Sequence, residues 1–157
     1  MVANELQAEL LQEVKKVLKD LRMKNTAGEF VDGINGYEQG LPLVVEDDED
    51  ESKFFPYYII KLDEGETPTA EEPWKVHVFI ILGIYEDSKE NIGHKEIMNA
   101  VERIQQRFEK EPLLNGKYRA DPEMSWALQD EQTYPFYFGA LELYFWIPKI
   151  GREDRYS

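Results

Sequence analysis

Between Asn4 and Lys24 the apolar residues Leu6, Leu10, Leu11, Val14, Val17, Leu18 and Leu21 recur at helical spacing, with Glu5, Glu9, Glu13, Lys15, Lys16 and Lys19 between them. That stripe predicts an amphipathic helix with one buried face. Asn4 stands where an N-cap is expected. Acids lead and Lys19, Arg22 and Lys24 trail, which complements the helix dipole. Gly28, Gly33, Gly36 and Gly40, with the turn dipeptide Asn35–Gly36, predict a loop over residues 25–40, and Leu41 to Val45 reads as a short strand. In FFPYYIIKL, Pro56 cannot donate to a ladder, so it marks the start or edge of a strand running from Tyr57 to Leu62. Residues 63–73, with five acids, Pro68 and Pro73, read as a connection.

The strongest strand pattern follows. Trp74, Val76, Val78, Ile80, Leu82 and Ile84 share one face, and Lys75, His77, Phe79, Ile81, Gly83 and Tyr85 the other. The second face begins polar and turns apolar toward Tyr85, and His77 in its polar part reads as a hydrogen-bonded strand residue. Ile97, Met98, Val101, Ile104 and Phe108 predict a second helix from His94 to about Lys110, closed by Pro112. The stretch around Asn115–Gly116 and Asp121–Pro122 reads as loop or irregular strand, Trp126 to Gln132 as a strand, and Tyr137 to Ile147 as a closing strand apolar on both faces.

This order predicts an α+β fold: an antiparallel or mixed sheet of four to five strands with two helices packed on one face. Residues 1–150 form one domain, and residues 151–157 are a charged tail expected to fray.

Charge narrows the function. The 157 residues carry 18 Lys plus Arg against 32 Asp plus Glu, a net −14. Phosphate backbones and anionic membranes would repel such a surface, so neither sequence-specific nucleic-acid binding nor membrane attachment is expected. There is no Cys, which excludes disulfides, thiol nucleophiles and thiolate metal sites. The N-terminal stretch lacks the apolar centre of a signal peptide, and the run from Val78 to Tyr85 is far short of the ~20 residues of a membrane-spanning helix. Glu46, Asp47, Asp48, Glu49, Asp50 and Glu51 form an unbroken acidic run, read as a hydrated loop tip; it lacks the Gly and bidentate Glu of an EF-hand. No nucleophile elbow, phosphate loop, dinucleotide fingerprint or paired-His metal spacing occurs, so no catalytic, cofactor-binding or metal residue is assigned and the chain is read as a non-enzyme.

What remains is aromatic surplus. Tyr134, Phe136, Tyr137, Phe138, Tyr144 and Phe145 crowd the last strand on both faces. Two helices on one face leave the other to meet another chain, so oligomerisation is expected, with Phe54, Phe55, Tyr134 and Phe136 at strand starts as interface candidates.

The stretch FFPYYIIKL, the strand WKVHVFIILGIYEDS, the helix GHKEIMNAVERIQQRF and the closing strand YPFYFGALELYFWIPKI together resemble bacteriophage tail terminator proteins, also called tail completion or head-to-tail joining proteins, over residues 1–150. The resemblance implies a homo-oligomeric, hexameric ring in the virion tail, assembled in the bacterial host cytoplasm. Such a ring caps the tail tube protein, ends its polymerisation and meets the head connector protein. The family has no catalytic residues to carry over. The acids at 46–51 and the insertion 63–73 depart from it, and the acidic run is expected to face the lumen, where it would repel passing DNA. A small acidic secretion chaperone, a dimer that binds an unfolded effector segment, is the alternative.

Overall fold

In the computed structural model, residues 2–43 and 51–149 are described. In chain order the elements are α1 (Val2–Leu18), β1 (Arg22–Lys24), β2 (Phe30–Asp32), β3 (Asn35–Glu38), a 3-10 turn (Glu51–Phe54), β4 (Tyr57–Glu66), β5 (Trp74–Tyr85), α2 (Gly93–Lys110), β6 (Leu113–Leu114), β7 (Tyr118–Leu128) and β8 (Phe136–Ile147).

Leu6, Leu10, Val14 and Leu18 repeat every fourth residue and are fully buried, so α1 lays one edge of its stripe on the sheet. Ile97, Ala100, Val101, Ile104 and Phe108 do the same for α2. Both helices share a core with the even-numbered residues of β5, Val76 to Ile84, and with Leu141, Leu143, Phe145 and Ile147 of β8, so both lie on one face of the sheet. Each of these side chains apart from Ala100 contributes roughly 1.5–3 kcal/mol on burial. Arg107 ties the layer together: its Nε donates to Glu13 Oε1 at 2.7 Å across the helix pair, and its guanidinium also donates to the carbonyls of Glu111 and Leu113 beyond the end of α2.

The sheet has eight strands among the described residues, not four or five. β5 and β8 pair antiparallel over their full 12-residue lengths, Trp74 opposite Ile147 and Tyr85 opposite Phe136. β7 flanks β8, while β4 and the tip of β1 flank the other side of β5. β3 joins β4 in the one parallel pair, Asn35 opposite Tyr57, which makes the sheet mixed.

The additional strands come from segments without a strand pattern. The first helix ends at Leu18 rather than Lys24, because Arg22–Lys24 turn into a hairpin with Phe30–Asp32 and bury Met23. Asn4 lies inside α1, two residues from its start, and does not cap it. Gly36 belongs to a strand because the Tyr58 ring lies over it; a Cβ there would sit 2.3 Å from that ring. Gln39 prolongs β3 with its side chain, bonding both the N–H and the carbonyl of Leu62, and the buried Gln7 amide donates to Gln39 and to the Ile60 carbonyl. Of the strand expected from Leu41 to Val45, Leu41–Leu43 form none, and Val44 and Val45 lie outside the described residues. β4 runs on through Asp63–Glu66, into the segment expected to be a connection, and β7 occupies Tyr118–Leu128 rather than Trp126–Gln132. The expected acids at Glu46–Asp50 and the tail 151–157 lie outside the described residues; Glu51 is exposed and opens the 3-10 turn.

Candidate functional site

The face opposite the helices carries two clusters. At the Tyr85 end of β5 the chain before β4 folds back over the sheet, and Phe55 packs against Tyr57, Phe136 and Phe138 with ring centroids 4.9, 4.8 and 5.7 Å away. Phe54 meets Tyr37 edge-on at 5.8 Å. These are the offset and edge-to-face geometries that aromatic quadrupoles favour. Three of the four interface candidates therefore come together, but Phe55 is only 7% exposed and is the packing centre of the cluster, not a surface a partner can reach. Phe54 and Phe136 are half-buried, and Tyr134 stands at the margin, 43% exposed, its hydroxyl donating to the Asp87 carbonyl.

Toward the other end the open face is polar. A β-bulge between Leu62 and Glu64 leaves Asp63 as an extra residue in β4, and the bulge aims its carboxylate at His77, with Oδ2 at 2.9 Å from Nδ1. Glu142 approaches from β8, its Oε1 2.6 Å from His77 Nε2. Tyr144 stacks flat on the imidazole at 4.7 Å. The Glu142 carboxyl is held below its usual range, first by the bond from Ser125 Oγ and then by His77, against an opposing effect of burial. Beside this group Lys75 lies over the Tyr144 and Trp146 rings, and the Trp146 indole donates to Asp121. Both imidazole nitrogens face carboxylates, so the cluster fastens three strands to one another and leaves no ring nitrogen open toward solvent. Among the described residues no group of three or more His, Asp or Glu is arranged to hold a metal ion.

On the helix side of the same bulge lies a groove of about 520 Å³, bordered by the start of α1 at Ala3. Leu62, Trp74, Val76 and Ile147 give it an apolar lining, with Glu64 and Lys149 beside them; Asp63 lines it as well, while its carboxylate turns to His77 on the opposite face. Its size falls within that of clefts that take ligands or side chains. Lys149 Nζ is turned to Thr67 Oγ1 at 2.7 Å and the Thr69 carbonyl at 2.8 Å.

No family model matches the chain, and no curated protein matches it. No helix among the described residues is long and apolar enough to cross a membrane.

A third cluster closes the Tyr85 end on the helix side. Glu86, 7% exposed, lies beside Glu96 of the first turn of α2, with Lys24 Nζ 3.9 Å from Glu86 and 3.1 Å from Asp87. Burial, and then the Glu86 carboxylate, push Glu96 up to about 7 against the pull of Lys24. Neither the bulge nor the groove stands out from residue types. The signal available for the bulge was Gly65 in a strand, where the alternation after Leu62 breaks.

Proposed function

We propose that the chain is a non-enzymatic structural subunit that assembles with copies of itself into a hexameric ring, caps a phage tail tube, ends its polymerisation and helps join the tail to the head connector. The observation that carries this reading is the distribution of exposed large apolar side chains. Phe30 (57%), Trp74 (39%), Trp126 (51%) and Tyr134 (43%) stand at the margins of a sheet whose helices occupy one face only. The outer edge of β7 adds to it, since among the described residues Met124–Leu128 pair with β8 alone. Open edges and marginal aromatics are the surfaces through which sheet proteins add neighbours, and cyclic symmetry closes such contacts into rings.

Solution mass and negative-stain micrographs test the reading. A hexamer, a ring, or subunits that add to isolated tail tubes and halt their growth support it; subunits that do none of these refute it. A stable dimer that copurifies with an unfolded segment of another protein favours a secretion chaperone instead. The acids at residues 46–51 supply the lumen charge in this reading, and neutralising them should raise DNA retention on the ring or impair tail joining; unchanged retention and joining remove that role.

A further inference from the structure

We propose that residues 150–157 of each chain close the apolar groove beside Trp74, with the Tyr156 ring seated against Leu62, Trp74 and Val76 of the same chain. The groove is a hollow that α1 borders only at Ala3, so the ends of β4, β5 and β8 are left without a helix over them, and Trp74 stays 39% exposed there.

The occupant follows from where the chain goes. Ile147, Pro148 and Lys149, the last described residues, are themselves part of the groove lining. Lys149 is held in place: its Nζ lies 6.0 Å from the Trp74 ring centroid and donates to Thr67 Oγ1 at 2.7 Å and to the Thr69 carbonyl at 2.8 Å. The segment that follows, IGREDRYS, therefore sets out from the groove wall. Eight residues reach at most roughly 27 Å. The groove spans only Leu62 to Gly65 along β4, roughly 10 Å, so the segment is long enough to turn and come back across it. Gly151 supplies the residue type that a tight return accepts.

Tyr156 is the one aromatic in the segment. Its ring suits an apolar lining and its hydroxyl suits the polar border, where the exposed Glu64 carboxylate can accept. The tether also favours this occupant over a second copy. A segment attached at the groove wall is present at an effective concentration on the order of mM, which a free chain at micromolar concentration does not match. Phe30, Trp126 and Tyr134 remain for contacts between copies, so the closure stands or falls separately from the ring reading.

The chain has no Cys, so two introduced thiols form one defined disulfide. Glu64→Cys with Ser157→Cys, equilibrated in glutathione redox buffers and verified as folded by circular dichroism, measures the effective concentration of the segment's end at the groove. It should exceed by at least about 10-fold the value for the same pair carrying Tyr156→Ser, as burial of one aromatic ring implies, and the product should run as a single chain on non-reducing gels. Trp74→Ala in the same pair should lower the value from the groove side. Glu90→Cys with Ser157→Cys places one thiol beyond the far end of β5, roughly 36 Å from Trp74, and should form no disulfide within a chain. Equal values with and without Tyr156 would overturn the closure. A disulfide formed only between chains would also overturn it and make a second copy the occupant. Neither result alters the mass and micrograph test of the ring, so the two readings fail separately.

Discussion

Replacing Glu96 by Gln isolates the carboxylate pair at the start of α2. Glu96 has an ordinary value of 4.5 and is pushed up to about 7, first by burial and then by Glu86. One of its oxygens, Oε2, is buried without a hydrogen-bond partner. Between pH 4.5 and about 7 the folded chain therefore binds a proton here that the unfolded chain releases. Stability from this group is present in full below pH 4.5 and declines as pH rises through about 7. At about 1.4 kcal/mol per pH unit the ceiling is about 3 kcal/mol. Glu96 is only half-buried, and solvent screening reduces that to about 1–2 kcal/mol. Gln has the shape of the protonated acid and no charge, so Glu96→Gln should match wild type near pH 4.5 and exceed it by about 1–2 kcal/mol at pH 8. Urea unfolding of both proteins from pH 4.5 to 8 measures this. The difference between them cancels all groups that titrate alike in both, Glu86 and Lys24 being the neighbours to watch. A difference that does not grow with pH, or a variant less stable at pH 8, refutes the reasoning.

Three further outcomes are expected. Gly83→Ala places a Cβ 2.4 Å from the Tyr57 ring and should cost about 1–3 kcal/mol in urea unfolding, but much less when introduced into a Tyr57→Ala background, where the ring it strikes is gone. Arg107→Ala removes the link to Glu13 and the donors to the Glu111 and Leu113 carbonyls, and should cost about 1–3 kcal/mol, with Arg107→Lys restoring only part of it. Glu142 is lowered in the folded chain, so its contribution is present above its usual range and lost as pH falls through the lowered value; Glu142→Gln should flatten that part of acid unfolding.

Patterns that repeat were legible in the sequence. The fourfold spacing of Leu6, Leu10, Val14 and Leu18 and the alternation from Val76 to Ile84 report burial at each step, so their faces could be read directly. The short strands could not. Only Met23 is buried in β1, and its ladder is with Phe30–Asp32 and Tyr85, partners that only the tertiary fold supplies. Leu21 extended the helical stripe past the true end of α1, where Leu21 N–H instead bonds the Leu18 carbonyl in a tight turn. Pro122 argued against a strand at Tyr118–Leu128, yet it falls where the β7–β8 register slips between Ala120 and Met124, a place that needs no ladder donor.

The candidate interface moved for a related reason. Sequence alternation showed that the second face of β5 passes from Lys75 and His77 to Phe79, Ile81 and Tyr85, and left that face for a partner to cover. The folded chain covers much of it from within. Phe55 folds onto the apolar end, and Asp63, Glu142 and Lys75 pair off the polar end with His77, Tyr144 and Trp146. A face whose groups are mutually satisfied gains little from association, because burying it exchanges existing contacts for equivalent ones. The unsatisfied apolar surface lies instead where strands begin, end or lack a neighbour: Phe30 on its hairpin, Trp74 at the groove, Trp126 on the open edge of β7 and Tyr134 before β8. Association through margins differs from association through a face, since margins on opposite sides of one sheet are different surfaces. A contact that joins one such margin to a different one would set copies one after another around an axis rather than back to back.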